Sequence, residues 1–415
     1  MKFEQYDISD KLQRSIADAG FRRPTDIQYK SMPAILRGED VLAIAQTGTG
    51  KTAAFAIPIL NTLINRKAKS NTNAVRCVVM APTHELALQL EKVFISLAKY
   101  TNLSILSIYG GVDQTPQKAK LNEGVDILIA TPGRLFDLRS QGDLDLSAVE
   151  ILILDEADHM LDMGFINDIR DLIKFIPKKR QTLFFSATIN KSIKKLAYSL
   201  VRNAIRIQIS PKDPVAKNID HAKAFVEMDD KRFFLEDVIK SEPDKKILVF
   251  VRTKVRAERV KKAMERVEID TDTIHSDKTQ DERLDNMERF RNGELKILIA
   301  TDVSARGIDI PNVDFVINYD LPETPENYVH RVGRTGRGDS KGQAMSFCST
   351  EEYDILAEIE ESLGKPINKM EISKTDYKNT IKISGEKDND WQKVMGEIDT
   401  EDQQVRKKKN RKKRK

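Results

Sequence analysis

Short, nearly uninterrupted aliphatic runs recur along this chain, each followed by a longer stretch whose apolar residues have helical spacing. In the first half they lie at Val41–Ala45, Cys77–Ala81, Ser104–Tyr109, Asp126–Ala130, Ile151–Leu154 and Gln181–Phe185. A strand with one wet face alternates polar and apolar residues, so runs without alternation belong to strands covered on both faces. Amphipathic segments such as Glu85–Tyr100 supply the cover, which gives βαβ units and a parallel sheet. The rhythm resumes at Lys246–Val251, Thr271–His275, Lys296–Ala300, Asp314–Asn318 and Gln343–Phe347. Between the halves, Ser210–Asp220 holds Pro211 and Pro214 and little apolar content, and reads as a linker.

The expected architecture is therefore α/β, with two tandem parallel-sheet domains joined by a short linker. At 415 residues the chain is long for a single core. The expected limits are a first domain at 1–209, a linker at 210–220 and a second domain at 221–370. A polar, Lys/Arg-rich, disordered tail with the only tryptophan, Trp391, fills 371–415. A site between two such domains can open and close about the linker.

The net charge of +5 is unevenly placed. Nine of the last ten residues, Arg406–Lys415, are Lys or Arg, leaving sixty basic against 64 acidic residues elsewhere. Such a run is usually solvated, and it suits contact with a polyanion. Cys77 and Cys348 lie in separate apolar runs of different domains, which suggests core cysteines in a reducing cytoplasm. No apolar run nears the roughly 18–20 residues that span a bilayer. The opening MKFEQYDISD places acidic residues where a secretory signal would carry its apolar segment.

The strand at Val41–Ala45 leads into Ala45-Gln-Thr47-Gly48-Thr49-Gly50-Lys51-Thr52. After a strand and before a helix this is a phosphate-binding loop. Its glycines let backbone N–H groups curl toward a phosphate, and the new helix adds its positive end. Lys51 can reach outer phosphates and the Thr52 hydroxyl can ligate Mg²⁺. The first glycine of the general pattern is Ala45 here. About a hundred residues on, Ile151–Leu154 ends in Asp155-Glu156-Ala157-Asp158. Asp155 is placed to hold Mg²⁺ through water, and Glu156 to orient and deprotonate the attacking water.

With that loop, the Asp155–Asp158 motif resembles the DEAD-box helicases, which implies RecA-like domains, ATP and Mg²⁺ as nucleotide and cofactor, and RNA as partner. The likeness covers roughly residues 1–365, and with its compact core and lysine-rich end the chain most resembles the bacterial RhlE-like members. Gly20-Phe-Arg-Arg-Pro-Thr-Asp-Ile-Gln28 matches the adenine-reading motif, with Phe3 as the upstream aromatic. The resemblance implies that Phe21 stacks on adenine, with Arg23 in the same motif, and that Gln28 bonds its edge. Ser186-Ala-Thr188 matches the motif linking hydrolysis to closure. His330-Arg-Val-Gly-Arg-Thr-Gly-Arg337 matches the one supplying arginine fingers, at Arg334 and Arg337. Ala300-Thr-Asp-Val-Ser-Ala-Arg-Gly-Ile-Asp309 matches the segment that brings Gly307 and Asp309 to the nucleotide.

By the same resemblance, single-stranded RNA crosses both domains. Its expected contacts are Pro82, Thr83, His84, Gly110, Gly111, Thr131, Pro132, Gly133 and Arg134, then Thr253, Gln280, Arg283 and Thr301. Hydroxyls, glycine backbone and arginines grip phosphate and sugar without reading bases. His84 departs from the family, which usually has arginine there, and implies a weaker grip from the first domain.

The expected activity is an RNA-dependent ATPase and helicase that separates short duplexes or remodels RNA–protein complexes. A DNA motor fits the adenine-reading and Ser186–Thr188 motifs less well. An ATP-gated RNA clamp or annealing chaperone with slow turnover is the reading from another class. A monomer in the cytoplasm, with ribonucleoprotein or ribosomal-precursor partners and no membrane, completes the expectation.

Overall fold

The computed structural model describes residues 2–46, 48–65, 74–209, 215, 218–302, 313–336 and 341–385. Its strands form two seven-stranded, all-parallel sheets. The first contains β1 (Val41–Ala45), β2 (Cys77–Met80), β3 (Ile105–Ile108), β4 (Ile127–Ala130), β5 (Ile151–Leu154), β6 (Gln181–Ser186) and β7 (Ile205–Ile209). Their spatial order is β3-β4-β2-β5-β6-β1-β7. The second contains β8 (Ile219–Phe225), β9 (Ile247–Val251), β10 (Asp272–Ile274), β11 (Ile297–Thr301), β12 (Phe315–Asn318), β13 (Gly342–Cys348) and β14 (Asn368–Lys369). Its order, β10-β11-β9-β12-β13-β8-β14, repeats the first with every strand advanced by seven.

Among the described residues nine helices cover the first sheet: α1 (Asp10–Asp18), α2 (Asp26–Leu36), α3 (Lys51–Asn65), α4 (His84–Leu97), α5 (Thr115–Glu123), α6 (Pro132–Ser140), α7 (Ala157–Asp162), α8 (Ile166–Phe175) and α9 (Lys191–Leu200). In the second domain follow α10 (Lys231–Ser241), α11 (Lys254–Glu265), α12 (Gln280–Asn292), α13 (Pro325–Val332), α14 (Tyr353–Leu363) and α15 (Lys374–Gly385).

The double covering has a direct physical signature. On β1, Val41, Ala43 and Ala45 join one core with Phe55 and Phe94, while Leu42 and Ile44 join another with Leu152 and Leu196. Successive side chains point to opposite faces, so a strand buried on both must be apolar throughout. The second sheet is built the same way, with Leu248 and Phe250 on one side and Val249 and Val251 on the other. Cys77 and Cys348 are buried in separate domains, both free. Among the described residues no helix is long and apolar enough to cross a membrane.

Three strands lie outside the expected set. β7 reads Ile-Arg-Ile-Gln-Ile and β14 has two residues, and both occupy sheet edges, where one flank stays open and polar residues are tolerated. β8 begins at Ile219, inside the stretch read as linker, and Val215 is already buried in the second core. Much of that stretch, 210–214 and 216–217, lies outside the described residues. Past residue 370 the chain still packs: the Tyr377 ring of α15 lies tilted against Phe234, centroids 4.9 Å apart, and its hydroxyl donates to Asp230 Oδ2 at 2.8 Å.

Candidate nucleotide site and strand-binding seam

The phosphate loop leaves β1 and enters α3. Gly48 and Gly50 have φ of +79° and +89°, a region that side-chain-bearing residues avoid. At Gly50 space is limiting too: a Cβ there would lie 2.6 Å from Gln28 Nε2. That closeness has a purpose. Gln28 accepts from Thr25 N–H at 3.0 Å and donates to the Gly50 carbonyl at 3.1 Å, fastening α2 to the loop. Gln28 is 1% exposed, and in this structure the amide to which the motif gives the adenine edge makes this brace. Phe21 is half-buried and meets Phe3 edge-on at 6.1 Å, while Arg23 is exposed. Lys51 is buried, and its ammonium donates to the Ala45 carbonyl at 2.9 Å. Thr49 closes the turn by donating to the Gln46 carbonyl at 2.7 Å, and Thr52 follows on α3.

The acidic motif sits beside this loop because β5 neighbours β6, and β6 pairs with β1. Asp155 leaves β5 with its N–H bonded to the Met80 carbonyl. Burial pushes its carboxyl up to about 7, against the pull of Lys51 and with the Glu156 and Asp158 charges adding to the rise. At Glu156 burial also acts to raise the pKa, but the hydrogen bond and charge of His159 outweigh it, aided by Lys51 and Arg334. The result is a carboxyl held down at about 2. Two neighbouring carboxyls are thus driven apart, one toward the neutral acid and one firmly ionised. Glu156 also has φ +50° and ψ +50°, a left-handed conformation costing about 1 kcal/mol or more for a residue with a Cβ.

Asp158 ties this motif to the loop after β6. Its Oδ2 accepts from the Ala187 N–H at 3.0 Å, the Thr188 N–H at 3.0 Å and the Thr188 hydroxyl at 3.2 Å. Ser186 donates to the Thr188 carbonyl at 2.8 Å. From the second domain, buried Arg334 contributes its charge to Glu156 and bonds the His330 carbonyl at 3.3 Å. The helix just before it, α13, is anchored by Arg331, which makes a two-pronged pair with Asp302 at 2.6 and 2.8 Å and also bonds Asn318 and the Asp320 carbonyl. A cleft of about 400 Å³ opens between the domains, walled by Asp158 and Thr188 on one side and Arg252, Thr301, Asp302 and His330 on the other. Thr47, Gly307, Asp309 and Arg337 lie outside the described residues.

Along the other seam the expected strand contacts divide by role. Thr83 and Thr253 cap α4 and α11, accepting from the Leu86 and Arg256 N–H groups. Thr131 and Pro132 open α6, and Gly133 has open space where a Cβ would sit. Arg134 is buried and spends its guanidinium inside the domain, on Gln117 at 2.9 Å and the Val112 carbonyl at 2.8 Å. It holds the Gly110–Gly111 loop, where Gly111 has φ +78°. Thr301 ends β11, and Pro82 precedes α4.

Gln280 and Arg283, on the first turn of α12, reach across the domain boundary. Glu85 Oε1 accepts from Arg283 at 2.8 Å and from Gln280 Nε2 at 3.2 Å, and His84 Nδ1 lies 3.1 Å from Gln280 Oε1. Glu85 was absent from the expected site, although it directly follows the expected contacts Pro82, Thr83 and His84. Its signal was a carboxylate on the first turn of a helix, next to the one position that departs from the family pattern.

Comparison with known proteins agrees with this geometry. A DEAD/DEAH box helicase family model matches residues 25–196, and a helicase conserved C-terminal domain model matches residues 230–339. The chain is 37% identical over 369 residues to the ATP-dependent RNA helicase DbpA of Bacillus subtilis, covering 89% of this chain and 76% of that protein. It is 39% identical over 371 residues to the ATP-dependent RNA helicase RhlB of Shewanella amazonensis, covering 88% and 84%. Among solved structures it is similar to S. cerevisiae Dbp5 bound to RNA and ADP BeF3, with TM-score 0.82, 29% identity and coverage of 93% and 99%. A phosphate loop, an acidic motif beside it, an arginine brought from a second domain and this likeness over nearly the whole length converge: the chain belongs to the DEAD-box family of ATP-dependent RNA helicases.

Proposed function

We propose that the chain binds single-stranded RNA across both domains without reading sequence, and that RNA-stabilised closure switches on ATP hydrolysis and local duplex separation. The observation that carries this reading is that the two domains meet along the strand seam, where Gln280 and Arg283 bond Glu85, while the charge of Arg334 is felt at Glu156 beside the nucleotide loop. Both depend on the domains being together, so each ligand that favours closure favours the other.

In this mechanism the first domain, about 1–209, holds the nucleotide through its Gly48–Thr52 loop, with Lys51 on the outer phosphates and the motif from Phe21 to Gln28 at the base. Glu156, held ionised near neutral pH, orients the attacking water and takes its proton. Arg334, with Arg337 as its companion, stabilises charge on the transferring phosphoryl group, a contribution of roughly 10³–10⁵ in rate for an arginine finger. Asp155 and Thr52 suit a hard divalent cation: one is a buried carboxylate pushed up to about 7, the other a hydroxyl directly after Lys51. We assign Mg²⁺ to them; when bound it neutralises phosphate oxygens. Thr83, Thr253 and Thr301 place helix N-termini or strand ends at the RNA path, where backbone N–H groups face phosphates.

The test is steady-state ATP hydrolysis without nucleic acid, with single-stranded RNA and with DNA of the same sequence. Stimulation by RNA alone is expected. Equal stimulation by DNA overturns the RNA preference, and binding of ATP and RNA without stimulation overturns the coupling.

A further inference from the structure

The seam between α4 and α12 is a short chain of groups whose orientations fix one another. The Glu85 carboxylate, paired with Arg283 at 2.8 Å, only accepts hydrogen bonds. The Gln280 amide 3.2 Å away must therefore turn its NH₂ toward Glu85. Its oxygen then faces His84 Nδ1 at 3.1 Å, and two acceptors cannot share that distance. Nδ1 must carry the hydrogen. The same imidazole rests on the first domain's glycine pair: Cβ atoms built on Gly111 and Gly110 would lie 3.5 and 3.8 Å from it. The Tyr109 ring is 5.6 Å away, centroid to centroid.

We propose that His84 is a positioning residue for domain closure, whose Nδ1–H orients Gln280 across the boundary so that Gln280 can bond Glu85. This rests on the RNA-gated closure proposed above and gives one side chain a part in it. The residue where the family usually has arginine thus links the glycine loop of one domain to the second domain's seam residue by a direct protein–protein bond. Strand contacts at Gly110–Gly111 and the docking of α12 then bear on a single ring.

The experiment uses the full chain and single-stranded oligouridylate, reading KM for RNA and kcat of the ATPase. One neutral hydrogen bond predicts an RNA KM raised about 3–10-fold in His84→Ala, with kcat changed less than about twofold. An asparagine places its amide nitrogen near the position of Nδ1, and a glutamine near that of Nε2. His84→Asn is therefore expected to recover most of the KM, and His84→Gln to remain like His84→Ala. Gln280→Ala with His84→Ala should be no worse in KM than Gln280→Ala alone, because both break one bond. Asn and Gln variants behaving alike, or KM effects that multiply in the double variant, overturn the proposal and leave His84 as an independent RNA contact. If His84→Ala fails to fold, the Asn–Gln comparison still decides. Absence of RNA stimulation in the unaltered protein would instead sink the underlying reading.

Discussion

The two domains share a strand order but fill the same corner of the sheet differently. In the first, Lys51 opens α3 after β1 and Asp155 follows β5. In the second, Lys231 opens α10 after β8, and Asp320 stands two residues beyond β12, the counterpart of β5. Lys231 is fully buried, with its ammonium 2.5 Å from Glu352 and 3.8 Å from Asp320, while Arg252 and Arg256 reach the same two carboxylates at 3.0 Å. The second domain thus satisfies its charges internally. The first has fewer internal partners for its charges: Lys51 leans on a backbone carbonyl, and the Asp155 carboxyl is pushed toward its neutral form. One topology gives a binding corner when charges are left for a ligand and a structural corner when the protein supplies every partner.

The comparison can be broken most sharply at Glu156. Glu156→Gln is expected to cut RNA-stimulated hydrolysis roughly 10²–10⁴-fold while nucleotide and RNA binding persist. Near-normal turnover would remove the base from the binding corner. Next come the two lysines. Lys231→Met leaves two buried carboxylates short of a partner and should destabilise the second domain by about 3–5 kcal/mol, with the KM for ATP little changed. Lys51→Ala should do the reverse, abolishing ATP binding with Tm nearly constant. Equal thermal melts for the two variants would erase the distinction between the corners.

The smallest effect concerns Asp155 in protein freed of nucleotide and divalent cations. Its carboxyl sits near 7 in the fold against an ordinary value of 3.8, so the native state binds the proton more tightly. Its contribution to stability is full at acid pH and fades as pH rises from about 4 through 7. Asp155→Asn should therefore raise Tm relative to the unaltered protein at pH 8 and much less at pH 5. A constant difference at both would show that burial does not tax this carboxylate.

Much of the architecture was legible because doubly covered strands have an unmistakable pattern. β1 and β5 fall on their expected residues, and Ile105–Ile108 and Phe315–Asn318 differ from expectation by only one or two ends. The edge strand β7 and β8, Ile-Asp-His-Ala-Lys-Ala-Phe, escaped because polar residues interrupt their apolar ones, and β14 because it has only two residues, both polar. At the site, the phosphate loop and acidic motif could be read from contiguous residues. The partners of Glu85 could not, since Gln280 stands 195 residues away and pairs only once two domains meet. Nor could the internal bonds of Arg134, which spends on its own loop the donors expected for phosphate.

Asp158 holds three donors from Ala187 and Thr188 on one oxygen. To slide that loop alone would strip a nearly buried carboxylate of all three at once. The acidic helix and the loop after β6 are therefore geared together. Any displacement that keeps those bonds must carry both together, so the acidic motif and the Ser186–Thr188 loop form one mechanical unit with a single point of entry rather than two.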